Sequence, residues 1–176
     1  MDEPQKLVAL KALCTWLEGI VHVEADLPDT PGVDWDGFDL DGKVFRGRAV
    51  FGQEDKVPML SVLEDPRPEP TEYAGMNNQA RHDGWRLLVQ GWVEDDKKNP
   101  TDPAYRLANV VEKRLAQLIA VGEGGMPVDP DNYMLGIEGV TNIAFGPYVV
   151  RPPTEGISAK AFFYMPVKVG LASVVG

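Results

Sequence analysis

Residues 85–93 constrain this chain more than any other segment. Leu87, Val89 and Val93 fall on one side of an extended backbone and Arg86, Leu88, Gln90 and Trp92 on the other, because successive side chains of a strand point to opposite faces. Apolar residues on both sides are what a strand with neighbours on either edge carries, so a central strand is predicted here. A central strand needs a sheet around it, and the sheet frames everything else.

Candidate partners are spread along the chain. Strands are predicted at 44–51 and 58–63, joined as a hairpin through the polar stretch Gly52-Gln53-Glu54-Asp55-Lys56. A short alternating segment at 21–24 reads as an edge strand. Residues 136–140, 142–150 and 159–171 are β-rich, interrupted by Pro147 and by Pro152-Pro153.

Two helices are expected. Over 3–20, Leu7, Leu10, Leu13, Cys14, Leu17 and Ile20, with Val21, recur at the spacing of one buried stripe. Pro4 suits the first turn and Gly19 the end. Over 103–121 the stripe is Leu107, Val110, Val111, Leu115, Leu118 and Ile119; Asp102 is placed as N-cap, Pro103 at the first helical position and Gly122 as the stop. Strands and helices are segregated instead of alternating as βαβ units. That order predicts an α+β fold, a largely antiparallel or mixed sheet with two helices on one face. The chain reads as a single domain, 1–176, with a polar loop at 26–43 and an extended arm at 64–83, where Pro66, Pro68 and Pro70 leave little to build a core.

The formal net charge is −10, which argues against general nucleic-acid binding, since that depends on neutralising phosphates with Lys and Arg. The same charge suits a wall past which nucleic acid slides without sticking. The start of the chain, Met1-Asp2-Glu3-Pro4, has no basic region of the secretory kind, and the apolar runs are too short to span a bilayer. Cys14 is the single cysteine; it excludes an internal disulfide and reads as a small buried hydrophobe.

Chemistry-bearing patterns fall short of a site. Asp34, Asp36, Asp39 and Asp41 crowd one segment, but an EF-hand register started at Asp34 puts Phe38 at the fifth position and Phe45 at the twelfth, where oxygen ligands are required. The segment reads as a solvated acidic surface. His22 and His82 lack a second ligand at metal spacing. Ser61, Ser158 and Ser173 have no nucleophile elbow around them. Gly122-Glu123-Gly124-Gly125 follows a helix and so cannot cradle a phosphate on a helix N-terminus. No catalytic residue, metal or cofactor is assigned. Trp35, Phe38, Tyr73, Met76, Tyr133 and Tyr148 stand in loops or beside Gly and Pro, and together they are the candidate subunit or partner interface.

The stretch Leu87-Leu88-Val89-Gln90-Gly91-Trp92-Val93, followed by an acidic turn and Asp102-Pro103-Ala104-Tyr105-Arg106-Leu107, resembles the tail terminator and head–tail joining (neck) proteins of long-tailed bacteriophages. The closing segment Phe162-Phe163-Tyr164-Met165-Pro166-Val167 resembles the strand that ends their sheet. The resemblance implies a structural virion protein without an active site: a hexameric ring that caps the tail tube and joins it to the head-side connector. Its partners would be copies of itself, the tail tube protein, the connector protein and DNA in transit, without a membrane. The arm at 64–83 would reach a neighbouring subunit. Two other readings stand beside this one. The first is a non-viral acidic adaptor that uses the loop and arm to engage a basic partner. The second is a small hydrolase built on His82 and nearby carboxylates.

Overall fold

The computed structural model describes residues 3–21, 35–49, 56–66, 80–155 and 157–174. Two helices, α1 (Gln5–Glu18) and α2 (Asp102–Ala116), accompany six strands: β1 (Val44–Arg46), β2 (Met59–Glu64), β3 (Ala80–Trp92), β4 (Val140–Phe145), β5 (Val149–Arg151) and β6 (Phe162–Val174). The strands form one mixed sheet in the order β1-β2-β3-β6-β4, with β5 also paired to β6. The class is α+β, as the segregated pattern predicts. No helix among the described residues is long and apolar enough to cross a membrane.

The segment with apolar residues on both faces is central: β3 lies between β2 and β6, antiparallel to both. Its pairing with β6 is continuous from Ala80↔Val174 to Trp92↔Phe162. The strand therefore begins earlier than predicted and takes in residues 80–83, assigned above to the arm. His82 stands within it, paired with Ala172. The rest of the arm from residue 67, most of the edge strand at 21–24 and the first part of the acidic loop lie outside the described residues.

Side-chain alternation gives the sheet a heavy face and a lighter one. Val44, Leu60, Val62, Leu87, Val89, Phe163, Met165, Val167 and Val169 join Leu13, Leu17, Leu107, Val111 and Leu115 of the helices in one buried cluster. Each such side chain contributes roughly 1.5–3 kcal/mol relative to leaving it in water. Gly91 sits where this layer is tightest. Leu60, Gly91 and Phe163 are cross-strand neighbours, and a Cβ on Gly91 would stand 2.2 Å from Cε1 of Phe163 and 2.8 Å from Cδ2 of Leu60. The ring fills the space that glycine leaves. On the other face Met59 and Trp92, opposite each other, are also buried.

Several expectations are corrected. β1 and β2 run parallel, Val44↔Leu60 through Arg46↔Val62, so they are not a hairpin. The predicted strand at 44–51 stops after Arg46 because the chain turns at Gly47, in the left-handed region at φ +73°. The connection over 47–58 is then about the dozen residues that a parallel crossover requires. Asp102 is the first residue of α2 instead of its cap; Thr101 precedes the helix, with no side-chain capping bond. α2 ends at Ala116, before Gly122. Residues 133–136 form a tight turn ahead of β4, not the start of a strand at 136.

Candidate functional site

The two helices meet at an aromatic–guanidinium joint. Trp16 of α1 donates its indole N–H to the Arg114 carbonyl of α2 at 2.9 Å, while Arg114 Nε donates to the Trp16 carbonyl at 2.8 Å. The guanidinium lies 3.6 Å from the Trp16 ring centroid and 5.8 Å from that of Trp35, and Nη1 donates to Gln117 Oε1 at 2.9 Å. Burial pulls the Arg114 pKa below its ordinary value, with Asp129 acting in the opposite direction; Arg stays charged in any case. A groove of about 420 Å³ opens beside this joint, lined by Thr15, Trp16, Arg114, Asn132 and Leu135 among others. Leu135 and its neighbour Met134 both have positive φ, 65° and 52°.

Elsewhere, polar groups that could carry chemistry are tied to the backbone. Ser61 Oγ donates to the Arg48 carbonyl at 2.7 Å and Ser158 Oγ to the Lys160 carbonyl at 2.7 Å. Both hydroxyls hold loops in place, and neither is paired with a base. The Cys14 thiol is buried and its pKa is pushed up to about 11 by that burial, so it stays protonated near neutrality. Among the described residues no three His, Cys, Asp or Glu side chains gather at metal-binding distance. Asp36, Asp39 and Asp41 are exposed, as an acidic surface requires, and Asp39 Oδ1 accepts the amide of Asp41 at 3.0 Å. Asp34 lies outside the described residues.

The predicted interface aromatics separate into different environments. Trp35 is only 7% exposed and belongs to the core, so its ring is not available to a partner through a free surface. Phe38 is half-buried and packs against that core. Tyr73 and Met76 lie outside the described residues, and Tyr133 is half-buried in the turn before β4. Tyr148 is different. It meets Tyr105 of α2 edge-on, centroids 6.3 Å apart and planes at 72°, and Tyr105 is 51% exposed. Val149 next to it is 40% exposed.

The most exposed apolar group in this region of the molecule follows α2 and escaped the sequence reading. Gly122 N–H donates to the Met126 carbonyl at 2.8 Å and Val128 N–H to the Ala120 carbonyl at 3.0 Å, closing a small hairpin over 120–128. It displays Val121, Met126 and Val128 at 54%, 68% and 66% exposure. Its signal was legible: a Gly-Glu-Gly-Gly turn between apolar residues is hairpin chemistry, where a helix stop was assigned. Exposed apolar side chains therefore stand near the start of α2, at Tyr105, and beyond its end, on the hairpin, whereas Val149 faces the other side of the sheet, because Val150 beside it pairs with core Phe163.

No family model matches the chain. An 85-residue stretch is 31% identical to a catalase of Staphylococcus epidermidis, covering 46% of this chain and 16% of the catalase. The chain thus spans about one sixth of that relative's length, and a match of this extent assigns no family.

Proposed function

We propose that this chain is a structural virion subunit, a tail terminator that assembles into a hexameric ring, caps the tail tube and joins it to the head-side connector. The observation that carries the reading is the exposed apolar surface at the two ends of α2: the hydrogen-bonded hairpin with Val121, Met126 and Val128 beyond it, and Tyr105, stacked edge-on against Tyr148, near its start. Patches of this kind mark protein–protein contact, and a ring subunit needs two of them, one for each neighbour. The α+β order that resembles terminators supports it, as does the net charge of −10, which would keep DNA in transit from adhering.

The test is electron microscopy of purified protein mixed with tail tubes from the virus that encodes it. A ring on one end of the tubes is expected. Tubes that stay bare at every protein concentration contradict the reading.

A further inference from the structure

The two edges of the sheet are defended differently. β1 closes one side with three residues, stops at the Gly47 turn and carries Arg46 exposed, with Lys43 and Arg48 flanking the strand. Short length and charge are what keep a strand edge from pairing with another chain. β4 closes the other side with six residues, and no side chain from Gly139 to Val150 is charged, in a chain whose residues are 25% charged. A bulge between Val140 and Asn142 disturbs only its start. The Gly146 amide donates to the Pro166 carbonyl at 2.9 Å, and hydrogen-bonded positions alternate along an antiparallel pair. Asn142 and Ala144 therefore turn their backbone groups toward β6, and Ile143 and Phe145 turn theirs outward. Among the described residues those outward groups meet no partner. Thr141, Asn142 and Ala144 are exposed beside them.

A groove of about 520 Å³ opens beside this edge, lined by Asp65, Arg86, Lys168 and Ala144 among others. It lies on the sheet face away from the helices, because Val167 and Val169 on either side of Lys168 belong to the core. These four residues cross the sheet in one row. The Asp65 amide donates to the Arg86 carbonyl at 3.1 Å, Arg86 pairs with Lys168, and Lys168 with Ala144. Two cations thus stand with one carboxylate among the described lining residues, and the small side chain of Ala144 leaves the row open toward the β4 edge.

We propose that the outer edge of β4 docks an extended segment of another protein, which adds a strand to the sheet and lays an acidic side chain across Ala144 toward Lys168. Main-chain bonds to Ile143 and Phe145 give the affinity and the groove gives the specificity, the division of labour in strand addition. A second copy of this chain does not suit the groove. Its own β4 brings no carboxylate, and its β1 brings Arg46 toward the two cations. The inference is independent of the ring reading, which uses other surfaces.

Amide hydrogen exchange of the full chain, followed by NMR with and without peptides the length of β4, tests it. The probe alternates Val and Thr around one Glu near its middle. One control carries Lys in place of that Glu, and another is N-methylated on alternate amides. In the free chain the Ile143 and Phe145 amides should exchange fast and those of Asn142 and Ala144 slowly. The Glu peptide should slow exchange at Ile143 and Phe145 and bind about tenfold more tightly than the Lys peptide, while the N-methylated peptide should leave both amides fast. Ala144→Glu, at an exposed position, places a carboxylate beside Lys168 from within the chain and should erase the preference for Glu over Lys. Ile143 and Phe145 amides already protected in the dilute free chain overturn the proposal. So do a Glu peptide that leaves them unprotected, equal affinity for the Glu and Lys peptides, and a preference that Ala144→Glu leaves intact. Protection that rises with protein concentration and needs no peptide overturns it too, since the occupant is then a second copy. Bare tail tubes together with an edge that the Glu peptide protects remove the terminator role and keep this docking site.

Discussion

The joint between α1 and α2 and the two ends of α2 use the same residue types to opposite ends. At the joint, Trp16 and Arg114 exchange hydrogen bonds with each other's backbone, and the guanidinium lies against the ring. Every contact is internal. At the ends, Tyr105, Met126 and Val128 keep half or more of their surface in water, though the backbone beneath them is well tied. The difference teaches where this sequence spends its aromatic and cationic groups on folding and where it holds them for something else. Substitutions at the joint and in the sheet under it should move stability; substitutions at the ends should move association alone.

The largest expected effect is in the core beneath the helices. Gly91→Val places a branched side chain where Phe163 and Leu60 already stand, and overpacking of this kind costs about 3 kcal/mol, read as a lower midpoint of denaturant unfolding. Next is Arg114→Ala, which strips the ring contact and removes one of the two donors to the Trp16 carbonyl, the Gly19 amide remaining; about 2 kcal/mol is expected. Arg114→Lys should recover little, since an ammonium lacks the planar fork that bonds and stacks at once. Both contrast with Met126→Asp, expected to leave unfolding within about 0.5 kcal/mol of wild type while abolishing association. A Met126→Asp chain that unfolds as readily as Arg114→Ala would erase the distinction between the regions.

The distinction follows from what can be read before a structure exists. The central strand was legible because apolar side chains on both faces of β3 have one cheap explanation. Both helices were legible from their stripes, although Ala9, fully buried beside them, carries too little hydrophobicity to announce itself. The parallel pairing of β1 with β2 was not legible, because three residues of strand ending at a left-handed glycine give no periodicity. Trp35 misled for a related reason: its loop context says nothing of the helix joint it packs toward. Tyr148 stands out in the sequence, but Tyr105, which it meets edge-on, lies on a helix far away in sequence, so only the fold could bring the two together. The hairpin was masked by the helical stripe running into it.

The smallest expected effect sharpens the Tyr105 end of α2. Amides of Asn99 and Lys98 bond the Asp96 carboxylate and hold its pKa below the ordinary value of 3.8. A carboxylate depressed in the folded state stabilises above its unfolded pKa, and that contribution disappears as pH falls through the folded value. Stability measured from pH 5 downward should therefore fall slightly more steeply in wild type than in Asp96→Asn. Identical profiles would mean that the turn ahead of α2 is not held by this carboxylate.

The central claim is the proposed ring, in which copies would make a head-to-tail contact through the exposed surfaces at the two ends of α2, and engineered cysteines test it most directly. Cys14 is buried with its thiol pushed up to about 11, so it stays out of mild oxidation and introduced thiols report alone. A chain carrying Val128→Cys and Tyr105→Cys should oxidise to a ladder of disulfide-linked dimers, trimers and higher species that reducing agent collapses. Chains with either cysteine alone should form no disulfide-linked species, while their mixture should yield disulfide-linked dimers only. A single-cysteine chain that links readily to itself, or a double-cysteine chain that never links, would contradict the head-to-tail contact.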